Sequence, residues 1–431
     1  VSEVHAPRST AQVMRSLVPS VYLPSLLAFS GDAALLPVIP LLALDLGFSV
    51  PAAAALTTVF GAFSFLGPIP ASRVIDRFGA RRSLVLTGTV LVVAGVAAML
   101  VINDGLRDGV EHLHRLALIG ALVVMGANTQ VWKLGRQAYL GSALPPSMRA
   151  RGMTLFGGTV RIGQIIGPLL GAGVIGLGHD TWVFGLQAVM TAAATALVAV
   201  FLPAGERRGP AAAGQRRRSP RTPARRRLTR GVLARMLSVG LGIAPVMAAR
   251  VNRPVIVPLM AGAMGVNAFW VSVIFGVSAV VEIALVVPAG TLMDKRGRAA
   301  VAVPCSLVLG LGYVLLAVMP VLVGHEGRAA VITALLVPCL VIALGNGLGS
   351  GIVMTLGIDV SPVHERTRYL AWWNTLLGGG NFVAPLMVTA ITAVAPIAVA
   401  GAVTGAMCLG GGTWLARVLP RVRPSGGGRR A

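Results

Sequence analysis

Charged residues are scarce in this 431-residue chain, where Asp, Glu, Lys and Arg make up 12%, about half the share usual for a soluble domain. So few cannot cover the surface of a soluble protein of this length, which excludes a soluble enzyme and a disordered chain. Cysteine is nearly absent. Cys305, Cys339 and Cys408 stand in apolar runs without Cys-x-x-Cys or Cys/His spacing. That excludes a disulfide scaffold and a zinc framework and leaves three small packing residues. Residues 1–16 carry Arg8 and Arg15 but no apolar core with a cleavage site; no removable signal peptide is expected, and the first apolar run is expected to direct insertion. No nucleophile–base pair, nucleotide-binding loop or metal-ligand cluster is visible, so the expectation is no enzyme, no cofactor and no metal.

What the chain has is apolar length. Apolar residues make up 55%, and the mean hydropathy is +0.81. Runs long enough to span a bilayer fall at 18–44, 52–72, 83–102, 115–141, 152–178 and 182–203, then at 232–262, 267–289, 299–320, 329–357, 369–392 and 396–416. All are expected to be helices, because an open strand edge cannot be satisfied in lipid. The 54 glycines suit close helix–helix approach. Residues 204–230, rich in Arg, Pro and Gly, read as a polar linker between two six-span halves.

The formal charge of +23 has a place in this scheme. If the spans alternate, 29 of the 37 Lys and Arg fall on the side of the N-terminus, while Arg107, Arg115 and Arg328 fall on the other. Lys133, Arg136, Arg161, Arg250 and Arg253 fall inside spans. The bias predicts cytoplasmic termini and linker. Topogenic use explains the excess without nucleic acid; contact of the linker with anionic lipid is the other use such a run admits.

The two halves repeat at an offset of 217–218. Asp76-Arg77-x-Gly79 recurs as Asp294-Lys295-x-Gly297, Arg149-x-Arg151 as Arg366-x-Arg368, Pro168 as Pro385 and Asn128 as Asn346. Pro37-Val38-Ile39-Pro40 recurs with one insertion at Pro254–Pro258. A duplicated six-helix unit accounts for these coincidences together.

The segment 72–82, containing Asp76, Arg77 and Gly79, resembles the signature loop of the major facilitator superfamily between spans two and three. Gly290, Asp294, Lys295, Gly297 and Arg298 give a closer second copy between spans eight and nine. The first copy departs at Ser72 and Ala80, where the family has Gly and Arg. The resemblance covers roughly residues 18–416 and implies a conformational latch. A carboxylate at a cytoplasmic helix end would face a helix N-terminus of the other half, held by neighbouring basic side chains. A short basic turn that only fixes topology is the plainer use. In span five, Gly163-x-x-x-Gly167-Pro168-x-x-Gly171-Ala172 is similar to the motif of the antiporting, drug-exporting branch. Its glycines share one face, which generic helix packing would also use. The Arg that exporters carry in span four is absent: aligned on Gly126, that position is Leu122.

Charges inside the spans are the candidate machinery, because each costs at least ~2.5 kcal/mol if it faces lipid. Asp32 and Glu282 are the proton-coupling candidates. Burial favours the neutral acid and a nearby Arg the carboxylate, so a solute competing for that Arg would drive protonation. The repeat makes Asp32 and Arg250 near symmetry mates, expected to face each other across a cavity. A static ion pair is the plainer alternative for either acid. Arg161, Gln164, Arg250, Arg253, Asn128, Trp132, Asn374 and Asn381 are the substrate-cavity candidates. Three Arg against two carboxylates favour an anionic or zwitterionic amphiphile over a pure cation. Lys133 and Arg136 are expected to snorkel to the surface, and Trp372 and Trp373 to anchor at the interface.

The expected architecture is an all-α membrane protein of twelve transmembrane helices in two pseudo-symmetric six-helix bundles. Residues 1–17 form a cytoplasmic tail, 18–203 the first bundle, 204–230 the linker, 231–416 the second bundle and 417–431 a basic tail. The resemblance implies a monomeric, multi-pass transporter of the plasma (inner) membrane. Its expected task is proton-coupled efflux of amphipathic small molecules, with protons and membrane lipids as partners and no nucleic acid. The alternatives are proton-coupled uptake of an organic anion and a non-transporting membrane sensor.

Overall fold

The computed structural model describes residues 16–144, 146–178, 180–203, 230–323, 327–361 and 366–421. Nearly all of the tail expected at 1–17, the linker at 204–230 except residue 230, and most of the tail at 417–431 lie outside them.

Among the described residues, ten helices are long and apolar enough to cross a membrane. An eleventh crossing is the pair Val50–Leu66 and Pro68–Phe78, bent by 60°. The apolar stretch Leu376–Thr392 of the helix Arg366–Thr392 fills the remaining place in the twelve-helix fold. The sequence places the breaks. Gly67 followed by Pro68 ends and restarts span two, since Pro lacks the N–H that would continue a helix but suits a first turn. Span one is a π-helical turn Val18–Tyr22, then Leu23–Leu35 and Ile39–Asp45, broken next to Pro37. Span eight is Ala268–Ala284 and Val286–Arg296, and span ten is Arg328–Leu348 and Ile352–Val360. The span-ten break holds Gly349, Ser350 and Gly351, the last at φ +81°.

The chain divides into two compact units. In the first, span one packs on spans five and six, span three on four and six, and the second half of span two on span four. In the second, span seven packs on eleven and twelve, span nine on ten and twelve, and span eight on ten. Each pairing in one unit has its counterpart six spans along, which is the duplication expected from the offset. The two signature loops repeat in conformation as well. Gly79 (φ +81°, ψ 158°) ends Pro68–Phe78 and opens Ala80–Asp108. Gly297 (φ +86°, ψ 176°) ends Val286–Arg296 just before Ala299–Val323.

The division differs from the expected 18–203 and 231–416 in one respect. Residues 36–65, the later part of span one and the earlier part of span two, group with the second unit. Small residues are the reason. A Cβ on Gly262 of span seven would lie 3.0 Å from Leu41 and 3.1 Å from Leu44, and one on Gly61 would lie 2.6 Å from the Asn381 carbonyl. Glycine permits those approaches, and apolar contact does the rest.

Candidate polar sites within the membrane-spanning bundle

In the first unit the site starts from Asp32 on span one, a half-buried side chain. The Thr129 hydroxyl of span four donates to Asp32 Oδ2 at 3.3 Å, and Gln187 of span six also hydrogen-bonds the Asp32 side chain. Gln187 Nε2 donates to Thr191 Oγ1 at 3.4 Å, one turn along. Arg136 lies within electrostatic reach of Asp32. Its guanidinium sits 4.2 Å from the Trp132 ring centroid and 5.9 Å from that of Phe29, contacts worth about 0.5–2 kcal/mol each. Arg136 Nη2 donates to the Pro24 carbonyl at 3.0 Å. Arg136 is 1% exposed, which overturns the expectation that it snorkels: the aromatic faces and the Pro24 carbonyl hold it inside. Lys133, one step round the helix, is exposed as expected.

Span five holds this geometry from behind. A Cβ on Gly163 would lie 3.0 Å from Phe29 Cβ, and one on Gly167 would lie 2.8 Å from Ala33 Cβ and closer still to the Ser30 carbonyl. Gly171 meets Ala34 at 3.3 Å. The glycine face thus sets span five directly against the segment of span one that carries Asp32. Arg161 and Gln164, on the same helix, are exposed.

Two candidates change role. Trp132 is 3% exposed among Ala28, Leu84, Ala194 and Val198 and donates Nε1 to the Leu84 carbonyl at 3.1 Å. It is a core residue that supports Arg136, rather than a pocket wall. Trp373 is 1% exposed and donates to the Val353 carbonyl, whereas Trp372 is exposed as an anchor would be. Asn128 and Asn381 each keep a buried side-chain carbonyl without a partner among the described residues. The Asn374 side chain lies outside them.

In the second unit, Arg250 and Arg253 leave span seven toward different neighbours. Arg250 Nε donates to Asn346 Oδ1 at 3.2 Å, and Nη2 donates to the carbonyls of Asn346 at 3.4 Å and Gly349 at 2.8 Å. Its partners are thus at the end of the first half of span ten. Arg253 Nη1 pairs with Glu282 Oε1 of span eight, and its guanidinium lies 4.9 Å from the Phe275 ring centroid. Beneath it, the Tyr313 hydroxyl donates to the Ala249 carbonyl at 2.5 Å. Cys305, Cys339 and Cys408 are free and buried, in keeping with packing.

At the signature loops, Asp76, Arg77, Asp294 and Lys295 are exposed. Arg81 donates to the Ala199 carbonyl of span six. Arg298 Nε lies 2.8 Å from Asp359 Oδ2 at the end of span ten.

Sequence reading missed Thr129, Gln187, Phe275 and Asp359. Gln187 and Thr191 were the detectable signal, two polar residues one turn apart in the apolar helix Trp182–Phe201. Phe275 and Asp359 carried none, since their roles come from what packs beside them.

A family model described as Major Facilitator Superfamily matches residues 21–385 and 241–431. The chain is similar in fold to a POT family transporter solved with a thioalcohol-conjugated peptide (TM-score 0.71, 12% identity, covering 95% of this chain and 100% of that one). It is also similar to a POT family transporter solved with 5-aminolevulinic acid (0.70, 12%, covering 95% and 96%). A D-xylose–proton symporter is a third such structure (0.70, 16%, covering 96% and 99%). No curated protein matches the sequence.

Proposed function

Because the chain belongs to the major facilitator superfamily, we propose that it is a proton-coupled secondary transporter that moves amphipathic small molecules by alternating access. The observation that carries this reading is Asp32, a carboxylate inside a spanning bundle, hydrogen-bonded by the neutral side chains of Thr129 and Gln187. An acid so placed can take up and release a proton without the bundle unfolding, and Arg136 nearby sets the balance between its two forms. Asp32 is the principal proton site and Glu282 the second. Arg161, Gln164, Arg250, Arg253, Asn128, Asn374 and Asn381 remain the residues toward which the solute is directed, and Asp76 and Asp294 the latch carboxylates.

The direction is outward exchange against protons, as the span-five resemblance implies. A second reading, uptake of an organic anion with protons, is favoured by the basic pair Arg250 and Arg253; one chain of similar fold is a D-xylose–proton symporter. The chain is a monomer in the plasma (inner) membrane with cytoplasmic termini, and the Lys and Arg bias supports that orientation. Purified protein in liposomes under an imposed pH gradient tests the proposal. Proton-driven exchange out of the cytoplasmic-side compartment supports export, accumulation in it supports uptake, and absence of flux for anionic, zwitterionic and cationic amphiphiles alike sinks transport.

A further inference from the structure

We propose that Arg253 is the receptor for a planar oxyanion, a carboxylate foremost, borne by the transported molecule. The inference rests on the transporter reading above and names the chemical class of its solute.

A guanidinium offers its donors along distinct edges. Nε–H and one Nη2–H lie parallel and match the two oxygens of a carboxylate. In Arg253 the Nη1 group is taken by Glu282 and one face by the Phe275 ring. Nε and Nη2 are both buried without a partner among the described residues, in a residue only 8% exposed. The free donors therefore make up one intact two-toothed edge. Arg250 has spent that edge on Asn346 and Gly349. Arg136 has spent Nη2 on Pro24, and its free Nε and Nη1 lie on different edges. Among these three arginines, Arg253 alone keeps both donors of the carboxylate-shaped edge unpaired. On span eight, Ser278 lies one turn before Glu282, and its hydroxyl is also buried without a partner, a third donor on the face that meets Arg253.

Charge balance then constrains the solute. The titratable groups around Arg253 are Glu282 from span eight, Tyr313 from span nine and Cys339 from span ten. With Glu282 ionised the pair is neutral, so a monoanion on the unpaired edge leaves one uncompensated negative charge beside a buried guanidinium. A monoanion therefore enters with a proton on Glu282, whereas a zwitterion brings its own cation to that carboxylate.

The test is thermal unfolding of the purified full-length protein titrated with benzoate, phenylalanine, benzamide and benzylamine, which share a ring and differ in charge. Benzoate and phenylalanine are expected to raise the unfolding temperature, and benzamide and benzylamine to leave it unchanged. Benzoate is expected to bind more tightly as the pH falls, and phenylalanine to bind equally across the same range. Arg253→Lys keeps the charge but loses the edge, so carboxylate affinity is expected to fall tenfold or more, with Arg417→Lys at the exposed end of span twelve as the unaffected control. Glu282→Gln covers the case in which Arg253→Lys does not fold: benzoate should bind it more tightly than wild type and without pH dependence. Equal benzoate binding by Arg253→Lys, unchanged pH dependence in Glu282→Gln, or no carboxylate-selective stabilisation of wild type overturns the proposal. Liposome flux separates the two readings. Flux that persists in Arg253→Lys removes the receptor and leaves transport. Arg253-dependent binding without flux of any solute removes transport and leaves the receptor.

Discussion

Arg250 Nη2 donates to the carbonyl of Gly349 at 2.8 Å, so a cation on span seven closes the end of the first half of span ten. The last carbonyls of a helix lack intrahelical donors and carry the negative end of its dipole. Within a bilayer no bulk water serves them. Span ten can stop at Gly349 and restart at Ile352 because a neighbouring side chain satisfies what the break exposes. A Cβ at Gly349 would lie 2.6 Å from that same Nη2 and closer still to Cys305 Sγ, so a larger residue there would displace the guanidinium from the break.

Replacing Arg250 with Met keeps the apolar stem and removes the donors. The expected loss is about 1–3 kcal/mol, the cost of leaving buried carbonyls unpaired, read as a lower unfolding midpoint in detergent. Arg250→Lys should recover part of it. A midpoint equal to wild type in Arg250→Met would show that the break is closed by something else.

Asp32→Asn keeps the shape of the side chain and one acceptor oxygen for Thr129 or Gln187 while removing the titration. Proton-driven transport is expected to stop while solute counterflow without a gradient continues at near the wild-type rate. The two are measured on the same liposomes. Full proton-driven transport by Asp32→Asn would move the proton site elsewhere, with Glu282 the next to test.

Gly167→Val should destabilise the first unit by about 1–3 kcal/mol, the usual cost of overpacking. The added carbons run into the Ser30 carbonyl and Ala33 of span one. Gly173→Ala, two residues past Gly171, meets nothing within 4 Å and should stay within about 0.5 kcal/mol of wild type. Equal midpoints for both variants would show that the span-five face is not what fixes span one.

Most of the fold was legible in the sequence because lipid forces regularity. Apolar length gave the spans, and Pro37, Pro68 and Gly351 sit at their breaks. The sites were legible only as charges. That Asp32, Arg250, Arg253 and Glu282 matter follows from the cost of a charge in lipid. Which neighbour each meets depends on helix rotation, which one residue of register changes by about 100°. Thus Arg250 and Arg253, three apart and expected on a common face, reach spans ten and eight respectively. Arg136 was misread for a related reason: near the end of its run it looked able to snorkel, and nothing in the linear sequence showed Phe29 and Pro24 beside it. The grouping of 36–65 with the second unit was likewise hidden, since it depends on contacts at Gly61 and Gly262 made far along the chain.

The repeat itself yields the last prediction. Gly79 and Gly297 hold positive φ with ψ of 158° and 176°, a region that is essentially glycine-only. Nothing lies within 4 Å of a Cβ added at either, so substitution costs backbone strain rather than a clash. Gly79→Ala and Gly297→Ala should therefore lose similar stability, about 1–3 kcal/mol each. The loops belong to different units, and the double variant should lose close to the sum. Chemical unfolding of the three variants measures this. A cost at one loop and none at the other would mean that the two share a sequence pattern without sharing its mechanical role.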